Sequence, residues 1–292
     1  MRVGADFIKR LNLNAPCAIS NPTWENHRGI FESAGFEVVE YTYFDGITRG
    51  VDFDGMVKSL ESFPKYTTVL LHACCHNPTG FDLSQADWRQ VLQIVRERHL
   101  LPLIDFAYQG FGDGLEQDAF AVRLFAAQLP ELLITSSCSK NFGLYRERTG
   151  ALIVCSSEAD KLLDVRSQLA SIARNLWSTP PAHGAAVVAQ ILGDEELKAL
   201  WLDELESMRL RVASLRHGLV EALAPHGLSE RFAHIAEQRG MFSYTGLSPL
   251  QVQRLREEFS VYMVGSGRAN VAGLDASRLD QLADAIARVC VN

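Results

Sequence analysis

The sequence predicts an α/β fold, in which helices cover both faces of a mostly parallel sheet and a small α+β domain follows. Two observations carry this prediction. Strand-like apolar runs alternate with amphipathic helical segments over about the first 160 residues. From about residue 195 the chain reads as one long charged helix, and shorter mixed elements come after it. We therefore expect a large domain at residues 1–205 and a small C-terminal domain at residues 206–292.

The predicted strands of the large domain are short runs rich in β-branched and apolar residues. In order they are CAIS, EVVEYTYF, TTVLLHACC, LPLIDFAY, LLITSSCS and GALIVCSS. Helical patterns lie between them: ENHRGIFESAG, DFDGMVKSLESF, SQADWRQVLQIVRERH and AFAVRLFAAQ. Ser84 is the predicted N-cap of the third helix. Because such sheets bind ligands beyond the carboxyl ends of their strands, polar residues at those ends are candidate site residues.

The second half of the chain begins with EELKALWLDELESMRLRVASLRHGLVEALAPHG, a connector helix that ends at PHG. The segments HIAEQRGMFSYTG and VYMVGSGRANVAG flank a helix predicted from Ser248 to about Phe259. A last helix, DASRLDQLADAIARVCV, completes the predicted α+β domain.

Composition excludes several classes of protein. The 292 residues are 47% hydrophobic and 22% charged, which is typical of a globular protein and not of a disordered or fibrous chain. A net charge of -7 gives no broad basic surface for nucleic acid, so we expect a small-molecule partner. The apolar runs are shorter than the roughly 20 residues of a membrane helix. Six cysteines, five of them in strand-like runs, predict buried thiols in a reducing cytoplasm.

The stretch SSCSKNFGLYRER places Lys140 where a buried strand meets its loop. Burial and the nearby Arg148 would lower the pKa of this lysine and make it a nucleophile that can form a Schiff base. The alternative is a lysine that extends to solvent from a strand end. Ser137 and Lys140 also match the S-x-x-K motif of penicillin-recognising enzymes, but the S-D-N and K-T-G motifs of those enzymes do not occur in the chain.

The stretch LPLIDFAYQG places Asp105 and Tyr108 at the end of a strongly apolar strand. A carboxylate in such a place must be paired or hydrogen-bonded. The protonated nitrogen of a pyridine ring would suit it, as pyridoxal phosphate chemistry requires. The alternative is an aspartate that caps the next segment.

The stretch HACCHNPTG leads from a strand into a turn at Asn77 and Pro78. His72, Cys74 and His76 alternate along the predicted strand and so share one face, which raises a metal site as an alternative. Such a site needs a further ligand and open space, so we predict that no metal is bound.

Seven segments together resemble the aspartate and aromatic amino acid aminotransferases, which are pyridoxal phosphate enzymes of fold type I. They occur in the order and approximate spacing of that family. The segments are NPTWENH, CCHNPTG, DFAYQG, SKNFGLYRER, ARNLWSTPPAHGA, RGMFSYTGLS and GSGRANVAG. The resemblance implies a large domain with a mostly parallel sheet of the seven-stranded type and a small C-terminal α+β domain.

The resemblance implies a cofactor role for each residue that matches a family motif. Lys140 matches the lysine that holds pyridoxal phosphate as an aldimine and later moves the substrate proton. Asp105 matches the partner of the pyridine nitrogen, and His27 matches the histidine that supports that aspartate. Tyr108 and Asn77 match the pair that hydrogen-bonds the phenolic oxygen of the cofactor.

Further matches concern the cofactor's ring and phosphate and the substrate. Trp24 matches the aromatic residue stacked on the cofactor ring, and with Asn77 it is expected to line the substrate site. Ser137 and Arg148 match ligands of the phosphate. Arg268 matches the arginine that binds the substrate α-carboxylate. Arg174 matches the arginine that reaches into the site of the neighbouring subunit to bind a side-chain carboxylate, so a homodimer is implied.

The implied activity is the transfer of an amino group between an acidic or aromatic L-amino acid and a 2-oxo acid, either 2-oxoglutarate or oxaloacetate, by a ping-pong mechanism. The family pattern extends further upstream than Met1. We therefore expect an N-terminally truncated chain that lacks the phosphate loop, the N-terminal arm and a tyrosine that reaches the phosphate of the neighbour. This expectation leaves an alternative function, a catalytically impaired fragment that survives as a remnant or an interaction module.

Overall fold

The computed structural model describes residues 1–11 and 14–290. Its strands are β1 (Cys17–Asn21), β2 (Val38–Thr42), β3 (Phe44–Asp45), β4 (Gly50–Val51), β5 (Thr68–His72), β6 (Leu101–Phe106), β7 (Glu131–Ser137), β8 (Gly150–Ser156), β9 (Phe242–Tyr244) and β10 (Arg268–Asn270). Its helices are α1 (Arg2–Leu11), α2 (Asn26–Ser33), α3 (Phe53–Ser62), α4 (Gln85–Arg98), α5 (Leu115–Asp118), α6 (Phe120–Gln128), α7 (Leu162–Trp177), α8 (His183–Gly193), α9 (Glu195–Ala222), α10 (Ser229–Phe232), α11 (His234–Glu237), α12 (Pro249–Phe259) and α13 (Leu279–Cys290).

The large sheet has the strand order β2-β1-β5-β6-β7-β8. Neighbouring strands from β2 to β7 are parallel, and only β8 runs antiparallel to its neighbour β7. Parallel pairing requires crossover connections, which the intervening helices provide. The predicted α/β fold with a mostly parallel sheet is therefore confirmed. Six strands form this sheet in the described part of the chain, where the resemblance implies the seven-stranded type.

Helices bury both faces of the large sheet. One face packs with α1, α2 and α7, and the other packs with α3, α4 and α6. Successive residues of a strand point to opposite faces, so each central strand supplies both cores. The first core contains Leu70, Leu103 and Leu133, and the second contains Leu71, Ile104 and Ile134. This two-sided burial explains why these strands read as continuous apolar runs.

Local signals set several element boundaries. The Ser84 side chain caps α4 and forms a capping box with Asp87, as predicted for this helix start. Ser248 caps α12 in the same way. The run EVVEYTYF, predicted as one strand, instead divides into β2 and β3 at Tyr43. The reason is that β3 leaves the large sheet and pairs with β4, while the Tyr43 hydroxyl donates to the Phe81 carbonyl.

The small C-terminal region is built on the end of α9. Leu219 and Leu223 there join α12 and α13 in a separate apolar core, beside the antiparallel ribbon of β9 and β10. Leu205, earlier in α9, belongs to the core of the large sheet. One helix therefore runs through both cores, and the predicted domain boundary after residue 205 lies inside it. The boundary itself stays a prediction.

None of the helices in the described ranges has the length and apolar character needed to span a bilayer. All six cysteines are free thiols, and Cys17, Cys74 and Cys75 are buried.

Candidate active site

The parallel register brings polar residues of three strands to one edge of the large sheet. His72 at the end of β5 lies opposite Asp105 of β6, and Asp105 lies opposite Thr135 of β7. The loop that follows β7 carries Lys140 away from the same edge. The candidate site therefore lies where parallel α/β sheets bind their ligands, beyond the carboxyl ends of the strands.

Asp105 is held by a chain of hydrogen bonds that leads into the interior. Its Oδ2 lies 3.1 Å from Nε2 of His27, and Nδ1 of His27 lies 2.7 Å from the Thr23 hydroxyl. The His27 side chain is fully buried, whereas 14% of the Asp105 side chain is exposed. Burial by itself would raise the pKa of Asp105, but the bond from His27 and the nearby positive charge of Lys140 hold it below its usual value. Asp105 is therefore an ionised carboxylate with one side open.

A column of rings packs beneath this carboxylate. The His72 ring lies 5.1 Å from that of His27 and 4.2 Å from that of His76, and Tyr43 stacks on His76 at 3.9 Å. Burial lowers the pKa of His72 to about 3 and that of His76 well below its usual value, so both rings are neutral. Nδ1 of His72 is buried without a hydrogen-bond partner among the described residues. The column gives Asp105 an uncharged, rigid support.

Lys140 lies above the open side of the site. Its Nζ is 4.7 Å from the centre of the Tyr108 ring. Burial lowers the pKa of the Lys140 amine, and the positive charge of Arg148 lowers it further, although Asp105 acts in the opposite direction. This environment increases the fraction of neutral amine, which is the nucleophilic form.

The segment after Lys140 is fixed from both sides. The Asn141 carbonyl accepts a 2.7 Å bond from Nε1 of Trp201, and the Asn141 amide donates to the Gln109 carbonyl at 3.3 Å. Phe142 stacks on the Trp201 indole with ring centres 4.5 Å apart. Sequence reasoning missed Trp201, whose only signal was an aromatic residue on the connector helix.

Tyr108, Asn77 and Arg268 form a second chain of contacts beside Lys140. The Asn77 amide donates to the Tyr108 hydroxyl at 3.4 Å, and Nη1 of Arg268 donates to Oδ1 of Asn77 at 3.3 Å. The Arg268 guanidinium also lies 5.0 Å from the centre of the Phe242 ring. Burial raises the pKa of Tyr108, which keeps its hydroxyl protonated. Arg268, which belongs to the small C-terminal region, thus contacts the turn that carries Asn77.

The turn that carries Asn77 depends on Asp82, which sequence reasoning also missed. Its two carboxylate oxygens accept from the backbone N–H groups of Cys75 and His76 at 2.7 and 2.8 Å. Burial raises the pKa of Asp82 to about 6, although these bonds oppose the shift. An aspartate shortly after a Pro-Thr-Gly turn is the signal that could have predicted this role.

The other predicted residues have differing positions. Trp24 contacts the His27 ring edge-on at 5.2 Å. The Ser137 hydroxyl accepts from the Ser139 N–H, and Arg148, which is exposed, donates to the Tyr145 carbonyl. Arg174 lies on the exposed side of α7, where its side chain makes no hydrogen bond or ion pair with any residue that the structure describes. It is not brought to the sheet edge.

The expectation that His72, Cys74 and His76 alternate along one strand is wrong. Strand β5 ends at His72, and Cys75 has a positive φ of 52° that reverses the chain. A compact group is formed instead by His27, His72 and Asp105, whose ligand atoms lie within 4.8 Å of one another. His27 and Asp105 already bond to each other there.

The donors at this edge fit a phosphorylated pyridine aldehyde. An ionised carboxylate with an open side suits a ring N–H⁺, a half-buried amine suits the aldehyde, and the Tyr108 hydroxyl with the Asn77 amide suits a phenolic oxygen. Ser137, the last residue of β7, and Arg148, on the loop that carries Lys140, offer donors for a phosphate.

Comparison with known proteins identifies the class. A family model described as aminotransferase class I and II matches residues 1–286, so the chain belongs to this family. The predicted family, its transaminase activity class and its pyridoxal phosphate cofactor are thereby confirmed.

Within the family, the chain is similar to proteins of two named activities. It is 66% identical to an aromatic-amino-acid aminotransferase of Pseudomonas aeruginosa over 100% of this chain and 73% of that protein. It is 48% identical to an aspartate aminotransferase of the same organism, over 99% of this chain and 73% of that one. The solved aromatic-amino-acid aminotransferase of Burkholderia pseudomallei, covalently bound to pyridoxal phosphate, superposes with a TM-score of 0.97 at 52% identity, covering 99% of this chain and 72% of that one.

Proposed function

We propose that the chain transfers the amino group of an aromatic or acidic L-amino acid to a 2-oxo acid such as 2-oxoglutarate or oxaloacetate. The observation that carries the proposal is the position of the Lys140 amine, over the Tyr108 ring and within electrostatic range of Asp105. Pyridoxal phosphate, when bound, supplies the electron-withdrawing ring on which the amino group passes between the two substrates.

Lys140 is the proposed general base and acid. In its neutral form, Nζ would take the proton from the substrate α-carbon, and the resulting ammonium group would return a proton to the cofactor within the same half-reaction. Its lowered pKa favours the first transfer, and its neighbour Asp105 stabilises the ammonium form for the second. Because the amino group would stay on the cofactor after the first product leaves, the two substrates would react in turn, which is a ping-pong mechanism.

Asp105 is proposed to hold the positive charge on the cofactor's ring nitrogen. His27 and Thr23 fix its orientation from behind, so the open carboxylate oxygen needs no rearrangement to accept that bond. Tyr108 and Asn77 are proposed to bind the phenolic oxygen, and Trp24 to cover the ring.

Arg268 is proposed to bind the substrate α-carboxylate. Within the described chain, its guanidinium has an amide oxygen and an aromatic face as neighbours and no carboxylate, so its fork is available to an anion. A charge-assisted bond of this kind contributes about 1.5 to 3 kcal/mol. Asn77 would be the second donor at this point, since it contacts both Arg268 and Tyr108. Ser137 and Arg148 are proposed to bind the phosphate.

Among substrates, we place aromatic amino acids first and aspartate second. The support is the higher identity to the aromatic-amino-acid aminotransferase of Pseudomonas aeruginosa, 66%, than to the aspartate aminotransferase of that organism, 48%. Measured kcat/KM values for phenylalanine, tyrosine and aspartate with 2-oxoglutarate would test the order. A higher kcat/KM for aspartate than for both aromatic substrates would contradict it.

A homodimer is part of the proposal and rests on the surface of α7, α8 and the start of α9, which we call the α7–α9 face. Apart from Gly184, no residue of the apolar helix α8 is buried. Large exposed apolar side chains on this face are Leu163, Trp177, Leu192 and Leu200. Large exposed apolar side chains on three successive helices are typical of an interaction surface, and a second copy would cover them. Arg174 lies on this face and would then reach the partner's site.

Two further parts of the proposal concern organisation and location. The large and small domains are taken as residues 1–205 and 206–292, since the two apolar cores separate along α9. A cytoplasmic location rests on the six unpaired cysteines, which a reducing compartment would maintain.

The decisive experiment compares the protein with Lys140→Ala after addition of pyridoxal phosphate. The unsubstituted protein should develop a visible absorbance band, and borohydride reduction should abolish this band and make the covalent link permanent, with the mass increase located on Lys140. Lys140→Ala should show neither. If the two proteins give the same spectrum and no adduct at Lys140, the catalytic proposal is wrong and the non-catalytic fragment becomes the better interpretation.

Mixing two variants that are both impaired towards low concentrations of aspartate would test the dimer. Lys140→Ala lacks the amine, and Arg174→Ala lacks the arginine proposed to act in the neighbour. After mixing and re-equilibration, hybrid dimers should restore roughly a quarter of the activity towards aspartate, since one complete site forms in each hybrid. No recovery, with both variants folded, would contradict the shared site.

A further inference from the structure

Arg216, in the middle of α9, is a buried cation that the proposed reaction does not use. Its side chain is 1% exposed. Burial lowers its pKa to about 10, so the guanidinium remains charged at neutral pH. No carboxylate within the described ranges forms an ion pair with it. A buried charge without a counterion is costly unless it is fully hydrogen-bonded.

The hydrogen bonds of Arg216 all end on one short segment. Nη1 donates to the Ile235 carbonyl and to Oε1 of Gln238, both at 3.2 Å. Nη2 donates to the carbonyls of Arg239, Gly240 and Phe242 at 3.3, 2.7 and 2.5 Å. A planar fork with several donors matches acceptors that converge from different directions, which a lysine ammonium group cannot do. Arg216 thus fixes the backbone of residues 235–242.

The segment held by Arg216 packs directly on the turn that carries Asn77. The Arg239 N–H donates to the Gly80 carbonyl at 2.7 Å. A Cβ at Gly240 would lie 2.4 Å from that of Cys75, and one at Gly80 would lie 2.8 Å from the Phe242 carbonyl oxygen. The backbone of the held segment and that of the Asn77 turn are therefore so close at Gly80 and Gly240 that neither can shift towards the other.

The same segment ends at Phe242, the residue on which Arg268 rests. Asn270 lies opposite Phe242 in the β9–β10 ribbon, and the Arg268 guanidinium lies 5.0 Å from the Phe242 ring. Phe242 also meets the Tyr108 ring edge-on at 6.2 Å. A shift of this segment would move Arg268 relative to Asn77.

We propose that Arg216 is a positioning residue for substrate recognition, which holds residues 235–242 so that Phe242 and Arg268 face Asn77 in the geometry that binds the substrate α-carboxylate. This inference rests on the proposed function of Arg268. Arg216 touches neither substrate nor cofactor. Its effect is therefore expected to be larger on carboxylate binding than on the attachment of pyridoxal phosphate, because the held segment includes Phe242, which contacts Arg268, and does not include Lys140.

The test compares Arg216→Lys with Arg211→Lys. Arg211 lies on the same helix and also donates only to carbonyls, those of Ala272 and Leu274, but it is exposed. Calorimetric titration of each holoenzyme with succinate, a dicarboxylic acid without an amino group, measures carboxylate binding. A separate titration of the apo protein measures affinity for pyridoxal phosphate.

We expect Arg216→Lys to weaken succinate binding at least about tenfold and to raise KM for both substrates similarly. Its affinity for pyridoxal phosphate should stay within about threefold and kcat close to that of the unsubstituted protein. Arg211→Lys should match the unsubstituted protein in all four quantities. Phe242→Leu, which removes the ring between the segment and Arg268, should reproduce the pattern of Arg216→Lys.

Three results would overturn the inference. In the first, Arg216→Lys binds succinate normally. In the second, its affinities for succinate and pyridoxal phosphate fall together. In the third, it is too unstable to purify, which would assign Arg216 to fold stability. Failure of the proposed function looks different, because the unsubstituted protein would then form no adduct at Lys140.

Discussion

The two arginines expected to bind substrate carboxylates lie in opposite environments. Arg268 is partly buried between Asn77 and Phe242, at the sheet edge beside Lys140. Arg174 projects from the exposed, apolar α7–α9 face and has no polar partner in the part of the chain that the structure describes. Under the proposed function, one chain would assemble the groups that bind the cofactor ring and the substrate α-carboxylate, and a second copy would supply the arginine for a side-chain carboxylate.

Burial explains the difference between the two regions. At the sheet edge, polar groups enclosed by the core must find partners, and the Thr23–His27–Asp105 chain satisfies them within the molecule. On the α7–α9 face, Leu163 is 74% exposed and Leu192 is 45% exposed, so the favourable step still available there is the removal of apolar surface from water. The first region is preorganised within the chain, and the second would be covered if the proposed homodimer forms.

The largest expected effect lies in the buried region. Asp105→Asn keeps the shape of the side chain and an acceptor for His27, but it removes the negative charge that would stabilise a protonated ring nitrogen. We expect kcat to fall by roughly 10² to 10³-fold at saturating cofactor. Steady-state kinetics would measure this. Asp113→Asn, at an exposed ion pair with Arg239, is the control and should change kcat less than about twofold. An equal loss in both variants would contradict the role of Asp105.

The next prediction contrasts the two arginines directly. Arg268→Ala should raise KM for every substrate by about 10 to 100-fold, because each loses one charge-assisted carboxylate contact. Arg174→Ala should raise KM only for aspartate and 2-oxoglutarate, and it should leave the KM for phenylalanine unchanged. Arg166→Ala, on the same exposed helix, is the matched control. If Arg174→Ala impairs phenylalanine as strongly as aspartate, the division of labour between the two arginines is wrong.

The third prediction concerns the α7–α9 face. Leu192→Glu places a charge on the surface proposed to be covered by a partner, and burial of an unpaired carboxylate is costly. We expect the dimer dissociation constant, measured by sedimentation, to rise at least about tenfold. Leu250→Glu makes the same change at a residue of α12 that is 66% exposed and should have no effect. If both variants sediment like the unsubstituted protein, the α7–α9 face is not the dimer interface.

The smallest expected effect is the acid sensitivity of the ring column. The His72 pKa of about 3 lies below its usual value of 6.5, so below pH 6.5 the unfolded chain binds a proton that the folded chain does not. Stability from this group is present above pH 6.5 and is lost as pH falls towards 3, by about 1.4 kcal/mol per pH unit. In urea unfolding between pH 6 and 4, the free energy of unfolding of His72→Gln should fall less steeply with pH than that of the unsubstituted protein. His217→Gln, an exposed control on α9, should keep the original slope.

Several features of the site could be predicted from the sequence because they depend on neighbouring residues. Asp105 and Lys140 stand at the ends of apolar strands, and parallel strands align their carboxyl ends whatever helices connect them. Ser84 and Ser248 mark helix starts through bonds that span three residues. The order of the motifs was sufficient to indicate the family.

Other features were decided by the tertiary structure, since they join residues that are remote in the chain. The contact between Arg268 and Asn77 spans 191 positions, and the bond from Trp201 to the Asn141 carbonyl spans 60. The neutral state of His72 follows from the burial of its ring by residues that are remote in sequence and not from its sequence neighbours. The chain itself determined which groups stand at the sheet edge. The contacts of Phe242 with Arg216 and Arg268 were decided only by the packing of α9 and the small region against that edge. Contacts of this kind produce no periodic pattern in the sequence, so they could not be predicted from it.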